Sequence, residues 1–401
     1  MATSKNLQPN SLWQLFLIFL KLGLSSFGGP VAHIAYFRDE FVTRRQWLTE
    51  RSYADLVALC QFLPGPASSQ VGLAVGLSRG GYQGALAAWL GFTFPSALAL
   101  ILFAMSLSSL DSSAMVGVIH GLKIVAVAVV AQAVWAMAKN LCPDRARLTI
   151  MAITSSIVLL IPSPLIQLLT IIVAGLVGVV LFRVNDTGSP ESLAINISFR
   201  AGKIALSLFF ILLIGLPLLV QLFPNQSQLV VIDIFYRAGA LVFGGGHVVL
   251  PLLQSEVVPA ALIGNDTFLA GYGAAQAVPG PLFTFAAFIG ASLESMPVWQ
   301  GALLSLIAIF LPSFLLVIGV LPFWHKVQNN NKMRSALLAI NAAVVGLLLA
   351  ALYNPVWTST IQQTEDFVLG LIAFSMLMFW RCPPWLVVIL CGTAGWVLTL
   401  V

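Results

Sequence analysis

Two short runs of glycine and proline interrupt apolar segments of this chain, and each run occurs twice. Phe27-Gly28-Gly29 returns as Phe243-Gly244-Gly245, and Leu63-Pro64-Gly65-Pro66 returns as Val278-Pro279-Gly280-Pro281, about 216 positions later in both cases. Glycine and proline end or unwind a helix. The unwound turn leaves backbone N–H groups free beside the positive end of the next helix, and this arrangement suits the binding of an anion.

Other residues recur at nearly the same offset, which indicates a duplicated unit. Gly84-Ala85-Leu86 returns as Gly301-Ala302-Leu303, and Pro95-Ser96 returns as Pro312-Ser313. The shared order and spacing make chance an implausible source. The pattern predicts three parts: an N-terminal repeat over 1–182, a linker over 183–228 with one unpaired membrane helix, and a C-terminal repeat over 229–401.

The composition indicates an integral membrane protein. Of the 401 residues, 59% are hydrophobic and only 8% are charged, whereas about 25% of residues are charged in a soluble domain. Backbone polar groups must be satisfied internally in lipid, which favours helices. We therefore expect an all-α polytopic fold with about 13 hydrophobic helices: 11–35, 53–77, 82–107, 114–138, 148–161, 164–182, 204–223, 229–253, 267–291, 298–323, 335–353, 366–380 and 384–401.

Seven segments precede the first segment of the second repeat. Because seven is odd, the two repeats are expected to have inverted topology, a common plan of secondary transporters. With a cytoplasmic N-terminus, most basic loops lie inside, as the positive-inside rule requires. The loop that contains Arg38, Arg44, Arg45 and Arg51 would lie outside, and its counterpart at 254–266, without Lys or Arg, would lie inside. Whether 11–35 and 53–77 span or re-enter the membrane therefore stays open.

The residues around the breaks are the candidate substrate-binding groups. Broken helices at matching positions of two membrane repeats point to a transporter's substrate site. Close helix packing or a loop at the membrane surface are the alternative interpretations. Gln61 and Gln276 precede the second breaks, where their amides would either ligate an oxyanion or satisfy freed carbonyl groups. The set comprises Phe27, Gly28, Gly29, Pro30, Gln61, Pro64, Gly65, Pro66, Phe243, Gly244, Gly245, Gln276, Pro279, Gly280 and Pro281.

Cations inside the apolar segments are the second group of candidates. Lys21 and Arg237 occupy matching positions of the repeats, and a cation at membrane depth usually faces a cavity or a partner. Arg237 has Asp233 one turn earlier as a partner, so Lys21 is the freer candidate to bind an anion, unless it snorkels to the interface. Further candidates for coupling or charge balance are Lys123, His120, His33 and Asp55, with Asp233.

The sequence contains no motif of an enzyme that we recognise. The HExxH zinc motif, the GxSxG elbow and the Gly-Lys-Ser/Thr phosphate loop are missing, and the four cysteines have no CxxC spacing. We therefore expect no catalytic residues, no metal and no cofactor, and we attribute the basic residues to topology instead of nucleic-acid binding. Any pumping is expected to use an ion gradient.

The motifs together resemble those of the chromate transporter family, in its long form with two fused halves. The resemblance covers Phe-Gly-Gly-Pro-x-x-His at 27–33, Glu40-Phe41-Val42 with Trp47, Gln61-x-x-Pro-Gly-Pro, and the run from Gly80-Gly81 to Phe94-Pro95. The second repeat departs by Gly246 where Pro30 stands and has no equivalent of Trp47. The resemblance implies an inner-membrane secondary transporter that exports chromate and gives resistance to it, with about thirteen spans in antiparallel halves.

The leading hypothesis is therefore a secondary transporter of a tetrahedral oxyanion, with chromate efflux across the inner (plasma) membrane driven by the proton motive force. Rocking of one repeat against the other would give alternating access. Alternatives are a transporter of sulfate or another oxyanion, an anion channel, and a membrane-embedded enzyme. Membrane lipid is an expected partner, and the sequence leaves the oligomeric state open.

Overall fold

The computed structural model describes residues 11–109, 113–183, 197–324, 327 and 330–398. The protein is all-α, with sixteen α-helices and no strand within these residues. The first half contains α1 Leu12–Ser25, α2 Gly29–Arg38, α3 Glu50–Phe62, α4 Ala67–Ser109, α5 Ser113–Leu141, α6 Arg145–Leu160, α7 Pro164–Leu181 and α8 Phe199–Leu222. The second half contains α9 Ser227–Leu241, α10 Val249–Val257, α11 Asn265–Ala275, α12 Phe285–Ala291, α13 Val298–Val320, α14 Asn331–Ala351, α15 Thr364–Met378 and α16 Pro384–Leu398.

The fold of a polytopic helical membrane protein is confirmed, but the count of thirteen spans is not. Among the described residues, six helices are long and apolar enough to cross a membrane. The first two segments of each repeat are instead divided at the predicted glycine and proline breaks. The α-helix in each half has from seven to fifteen residues, fewer than the ~20 residues needed to cross a bilayer.

The first segment folds back on itself at Ser26–Gly28. Phe19, in the middle of α1, has its ring centroid 5.9 Å from that of Phe37 in α2 and 5.2 Å from that of Phe41 in the following π-helical turn. In one continuous helix, Phe19 and Phe37 would be about 27 Å apart. The helices α1 and α2 therefore form hairpin 1, which begins and ends at the same end of the molecule.

The helix α4 also consists of two parts that fold back on each other. Gly80 and Gly81 have non-helical backbone angles, and a Cβ on Gly76 would meet the carbonyl oxygen of Gly84. The second repeat has a turn at this place, between α12 and α13, where Gly290 and Gly301 touch in the same way. Residues 67–79 of α4 therefore pair with α3 as hairpin 2, and residues 82–109 cross the membrane.

The second repeat has the same two hairpins. Arg237 of α9 reaches back to Glu256 of α10, which defines hairpin 3. In hairpin 4, Tyr272 of α11 packs against Phe285 of α12, with ring centroids 5.7 Å apart. The thirteen hydrophobic segments are thus four hairpins and nine segments that run between the ends of the molecule.

The hairpins gather the basic loops at one end, which we call the basic end. The guanidinium of Arg79 lies 4.5 Å from the ring centroid of Trp47, and Arg45 shares a groove with Gln14 at the start of α1. The loops that follow hairpins 1 and 2 therefore lie beside the start of α1. This arrangement removes the conflict with the positive-inside rule that thirteen full spans create.

The repeats remain inverted, because five segments that each run from one end of the molecule to the other separate hairpin 2 from hairpin 3. These are residues 82–109 of α4, then α5, α6, α7 and α8. The turn at 162–164, the end of α10 and the end of α14 line one cavity, so they share the non-basic end. The hydroxyl of Ser335, at the start of α14, donates to the carbonyl of Phe182 after α7 at the basic end.

The repeats exchange their last two helices. The pair α15–α16 of the second repeat packs on α5 of the first, and the pair α6–α7 packs on α14. Small residues allow the close approach: a Cβ on Gly121 would meet the carbonyl of Cys391, and one on Gly178 would meet the carbonyl of Ser335. This exchange ties the two repeats together around the tips of the four hairpins.

Candidate functional site

The tips of the hairpins meet through two reciprocal hydrogen bonds between the repeats. The N–H of Gly65 donates to the carbonyl of Val242 at 2.7 Å, and the N–H of Gly280 donates to the carbonyl of Ser26 at 2.9 Å. Each bond joins the Pro-Gly-Pro break of one repeat to the end of the first helix of the other. Broken backbone at membrane depth is tolerated where protein buries it. These two N–H groups are therefore not free to bind an anion, which corrects the expectation that every break offers its amides.

Glycine is required at both Pro-Gly-Pro breaks. Gly65 has φ of 116° and Gly280 has φ of 102°, in the region that residues with a Cβ rarely adopt. A Cβ on Gly65 would lie 2.6 Å from Ser313 Oγ, and one on Gly280 would lie 2.9 Å from Ser96 Oγ. The repeated Pro-Ser pair, to which the sequence assigned no role, therefore packs against the break of the opposite repeat.

A small cavity of about 70 Å³ lies where hairpin 1 meets hairpin 4. A single water needs about 10–15 Å³ on the same measure, so the cavity has room for a small ligand. The cavity brings together Gly28, Gly29 and His33 of the first repeat with Gln276 and Gly280 of the second. Its lining is completed by Ser26, Val129, Gln132, His247, Ala275, Val278, Leu282 and Pro384.

Hydrogen-bond donors surround this cavity. α2 begins at Gly29 without a side-chain cap on its N-terminal N–H groups, and such groups attract anions. The hydroxyl of Ser26 is buried without a hydrogen-bond partner. The amides of Gln132 and Gln276 donate only long bonds, of 3.3 Å to the carbonyl of Leu377 and 3.4 Å to that of Tyr272. The cavity is therefore suited to a ligand that accepts hydrogen bonds.

Two histidines face the cavity from opposite repeats. His33 is 1% exposed; its Nε2 lies 3.2 Å from the carbonyl of Ser26 and its Nδ1 lies 3.3 Å from Ser68 Oγ. His247 Nδ1 lies 2.7 Å from the hydroxyl of Tyr272. The two histidines flank the two glycine breaks, but their positions are not equivalent in the repeat alignment, and only His33 was among the predicted candidates.

The first break of the second repeat is closed instead of open. A Cβ on Gly244 would lie 3.4 Å from side-chain atoms of both Leu141 and Met137, and 3.6 Å from Asn341 Oδ1. Gly244 and Gly245, with Phe243, are absent from the described lining of the cavity. Gln61 is exposed on α3. The structure therefore brings together residues from the first break of one repeat and the second break of the other. Pro64, Gly65 and Pro66 are not among the described residues that line this cavity.

The predicted cations do not reach the cavity. Lys21 is exposed on the outer surface of α1. Arg237 is held by two carboxylates, with Nη2 2.8 Å from Asp233 and Nη1 2.5 Å from Glu256. The partner Asp233 was expected, whereas Glu256 comes from the other helix of hairpin 3. Because two acids surround Arg237, its charge is already balanced.

The remaining coupling candidates are paired at other places. Lys123 Nζ lies 2.6 Å from Asp266, which joins α5 to α11, and His120 Nε2 lies 2.6 Å from Asp366, which joins α5 to α15. Asp55 lies on α3, outside the cavity lining. Of the coupling candidates, His33 alone lines the cavity.

A larger cavity of about 540 Å³ lies at the non-basic end, between the α6–α7 turn, α10 and the end of α14. Its lining includes Gln167, Gln254 and the carboxylate of Glu256. Arg237 with Asp233 and Glu256 carries a net charge of −1 if both acids are ionised, which repels an anion. The small cavity therefore suits an oxyanion better than the large one.

The polar residues of the cavity lining that the candidate set left out are Ser26, Gln132 and His247. Ser26 adjoins the Phe-Gly-Gly run, and His247 follows Gly246, so proximity to the breaks was an available signal. Gln132 lies in an uninterrupted apolar helix, and no local pattern separates it from a packed polar residue.

Comparison with known proteins identifies a matching family model and several relatives of this chain. The family model described as "Chromate transporter" matches residues 13–179 and 229–396. An uncharacterized transporter of Methanocaldococcus jannaschii is 30% identical over 86% of this chain and 84% of its own. Chromate transport proteins of Pseudomonas aeruginosa and Cupriavidus metallidurans are 27% and 26% identical over 97% and 85% of this chain, and over 92% and 82% of their own. No solved structure matches this chain.

Proposed function

Because this chain belongs to the chromate transporter family, we propose that it exports chromate across the inner membrane, driven by the proton motive force, and so gives resistance to chromate. The substrate is a tetrahedral dianion that only accepts hydrogen bonds. The observation that carries the proposal is the cavity between hairpins 1 and 4, which donors from both repeats surround. We assign the anion site to this cavity.

The recognition chemistry follows from the lining residues. The uncapped start of α2, the unpartnered hydroxyl of Ser26 and the amides of Gln132 and Gln276 all donate hydrogen bonds. A protonated anion such as hydrogen phosphate brings a donor of its own, which the N–H groups of this site cannot accept, so it makes fewer hydrogen bonds with them than a fully ionised anion does. The site would therefore select fully ionised tetrahedral anions.

Outward transport is electrically favourable for such an anion. Moving one elementary charge across the membrane changes its free energy by about 2.3 kcal/mol for every 100 mV of membrane potential. The positive-inside rule places the basic end in the cytoplasm. With an inside-negative potential, a dianion that leaves from the basic end moves down the electrical gradient.

An asymmetry between the repeats supports alternating access. The helix α11 packs along α5, where a Cβ on Gly273 would meet the carbonyl of Leu122. Its counterpart α3 has at most marginal contact with α14 within the part of the chain described, and Gln61 near the end of α3 is exposed. In inverted repeats, exchange of these two arrangements would open the opposite side. We therefore interpret the present arrangement as closed at the non-basic end.

The test is uptake of radiolabelled chromate into everted membrane vesicles with an imposed proton gradient and membrane potential. Gln132→Leu removes a donor from the small cavity. Gln167→Leu removes a matched glutamine from a helix of the same repeat that lines only the large cavity. We expect uptake that an uncoupler abolishes, that Gln132→Leu lowers by about tenfold or more for a loss of about 1.5 kcal/mol, and that Gln167→Leu preserves.

Three alternatives, a different substrate, a channel and a site in the large cavity, each have their own outcome in this assay. Sulfate uptake without chromate uptake would keep the site and overturn the substrate. Uptake that does not depend on the proton gradient and does not saturate as the chromate concentration rises would indicate a channel. Loss of uptake in Gln167→Leu with normal uptake in Gln132→Leu would move the site to the large cavity.

A further inference from the structure

The cavity has no permanent positive charge to balance a dianion. No Lys, Arg, Asp or Glu stands among the described residues that line it. Lys21 is exposed elsewhere, and Arg237 and Lys123 are paired with carboxylates. Burial of an unbalanced ion is costly even where hydrogen-bond donors surround it. The positive end of α2 balances part of the charge of the anion, so the remaining counter-charge has to come from residues that acquire it.

We propose that His33 and His247 supply this counter-charge by taking up protons from solvent as the anion binds. The inference rests on the proposed anion site. Imidazole is the side chain whose charge changes most readily near neutral pH, and two of the chain's four histidines line this one small cavity. Each comes from a different repeat: His33 from α2 and His247 from the 3₁₀ turn before α10.

The surroundings of His33 accommodate both protonation states. A carbonyl oxygen only accepts, so Nε2 carries the hydrogen that points to Ser26. In the neutral ring, Nδ1 accepts from the hydroxyl of Ser68; in the charged ring, Nδ1 donates to the same oxygen. The ring of Phe92 packs edge-on against His33, with centroids 5.4 Å apart, and carries no charge. Protonation therefore requires rotation of one hydroxyl hydrogen and no movement of the helices.

His247 has a similar environment. Its Nδ1 is hydrogen-bonded to the hydroxyl of Tyr272, which either donates or accepts. Its Nε2 has no hydrogen-bond partner among the described residues. Besides Tyr272, no titratable side chain in the described part of the chain bonds to either ring or lines the cavity with them. Within the described part of the chain, no charged side chain of the cavity lining therefore competes with the charge of a bound anion for its effect on the two imidazoles.

Proton uptake predicts a specific pH dependence. If each bound anion brings one proton, the apparent affinity falls about tenfold for each unit of rise in pH, and twice as steeply for two protons. The measurement is binding of chromate to the purified full-length protein at alkaline pH, where chromate itself stays doubly charged. A pH-indicator dye in weakly buffered solution follows the proton uptake at the same time. We expect a slope in the wild type that falls in His33→Gln and in His247→Gln.

His120→Gln is the matched comparison, because His120 is paired with Asp366 away from the cavity. The inference is overturned by chromate binding that is independent of pH and releases or takes up no protons, and equally by a slope that His120→Gln alone removes. The wild-type proton uptake decides this even if a variant fails to fold. Absence of chromate binding at every pH would instead overturn the proposed site.

Discussion

At the residue scale, the glycines of the Pro-Gly-Pro breaks hold the two repeats together. Gly65 and Gly280 each have a positive φ and donate a hydrogen bond to the other repeat. At each glycine, a serine hydroxyl lies so close that an added Cβ would clash with it. The sequence predicted the breaks from residue type alone, because the conformational limits of proline and glycine are local. It did not predict that the N–H groups are used between repeats.

We expect Gly280→Ala to lower stability by about 1–3 kcal/mol, the cost of a strained backbone, and to abolish transport. Adding Ser96→Ala removes the contact with Ser96 Oγ at 2.9 Å but leaves the strain, so it should restore stability only in part. The measurement is thermal unfolding of the purified protein together with chromate uptake.

Gly215→Ala serves as the control, because no atom lies within 4 Å of a Cβ at Gly215 in α8. Alanine is favoured over glycine within a helix by about 1 kcal/mol, so this variant should be at least as stable as the wild type. Equal stability of Gly280→Ala and Gly215→Ala would show that the break tolerates a side chain.

At the element scale, α5 and α11 form the contact that distinguishes the two repeats. The ion pair of Lys123 with Asp266 lies at this contact, with 8% and 68% of the side chains exposed. Because Asp266 is largely exposed, the attraction contributes only about 0–1 kcal/mol. The pair is therefore suited to bias a movement without locking it.

We expect Asp266→Lys to separate α11 from α5, because like charges then face each other. A cysteine introduced as Gln276→Cys, in a chain without its native cysteines, should react about fivefold faster with a membrane-impermeant maleimide for a change of about 1 kcal/mol. Asp266→Glu keeps the charge and should leave the labelling rate near that of the parent. An unchanged rate in Asp266→Lys would mean that this contact does not control access to the cavity.

At the scale of the whole molecule, the hairpins decide on which side the loops lie. Thirteen full spans would place the loop at 39–49 opposite the loop before α14 and on the non-cytoplasmic side. The four hairpins place both loops at the basic end, and they place 258–264 at the opposite end. The number of hydrophobic segments was predictable from hydropathy, but which of them turn back on themselves was not.

Single cysteines at three exposed positions test this arrangement. In intact cells, Thr43→Cys and Asn330→Cys should be protected from a membrane-impermeant maleimide, and Ala260→Cys should be labelled. Everted vesicles should reverse all three results. Labelling of Thr43→Cys in intact cells, together with protection of Asn330→Cys, would instead support a topology of thirteen full spans.

The sequence by itself determined that the protein lies in a membrane, that its unit is duplicated, where its helices break, and which family its motifs resemble. These properties depend on composition, spacing and the local preferences of glycine and proline. Only the tertiary structure decided that the broken helices turn back, that Arg237 and Lys123 are already paired, and that His33 shares a cavity with His247. Those outcomes depend on contacts such as Gly65 with Val242 and Lys123 with Asp266, between residues more than a hundred positions apart. No local pattern encodes such contacts, because they arise when the inverted repeats pack against each other.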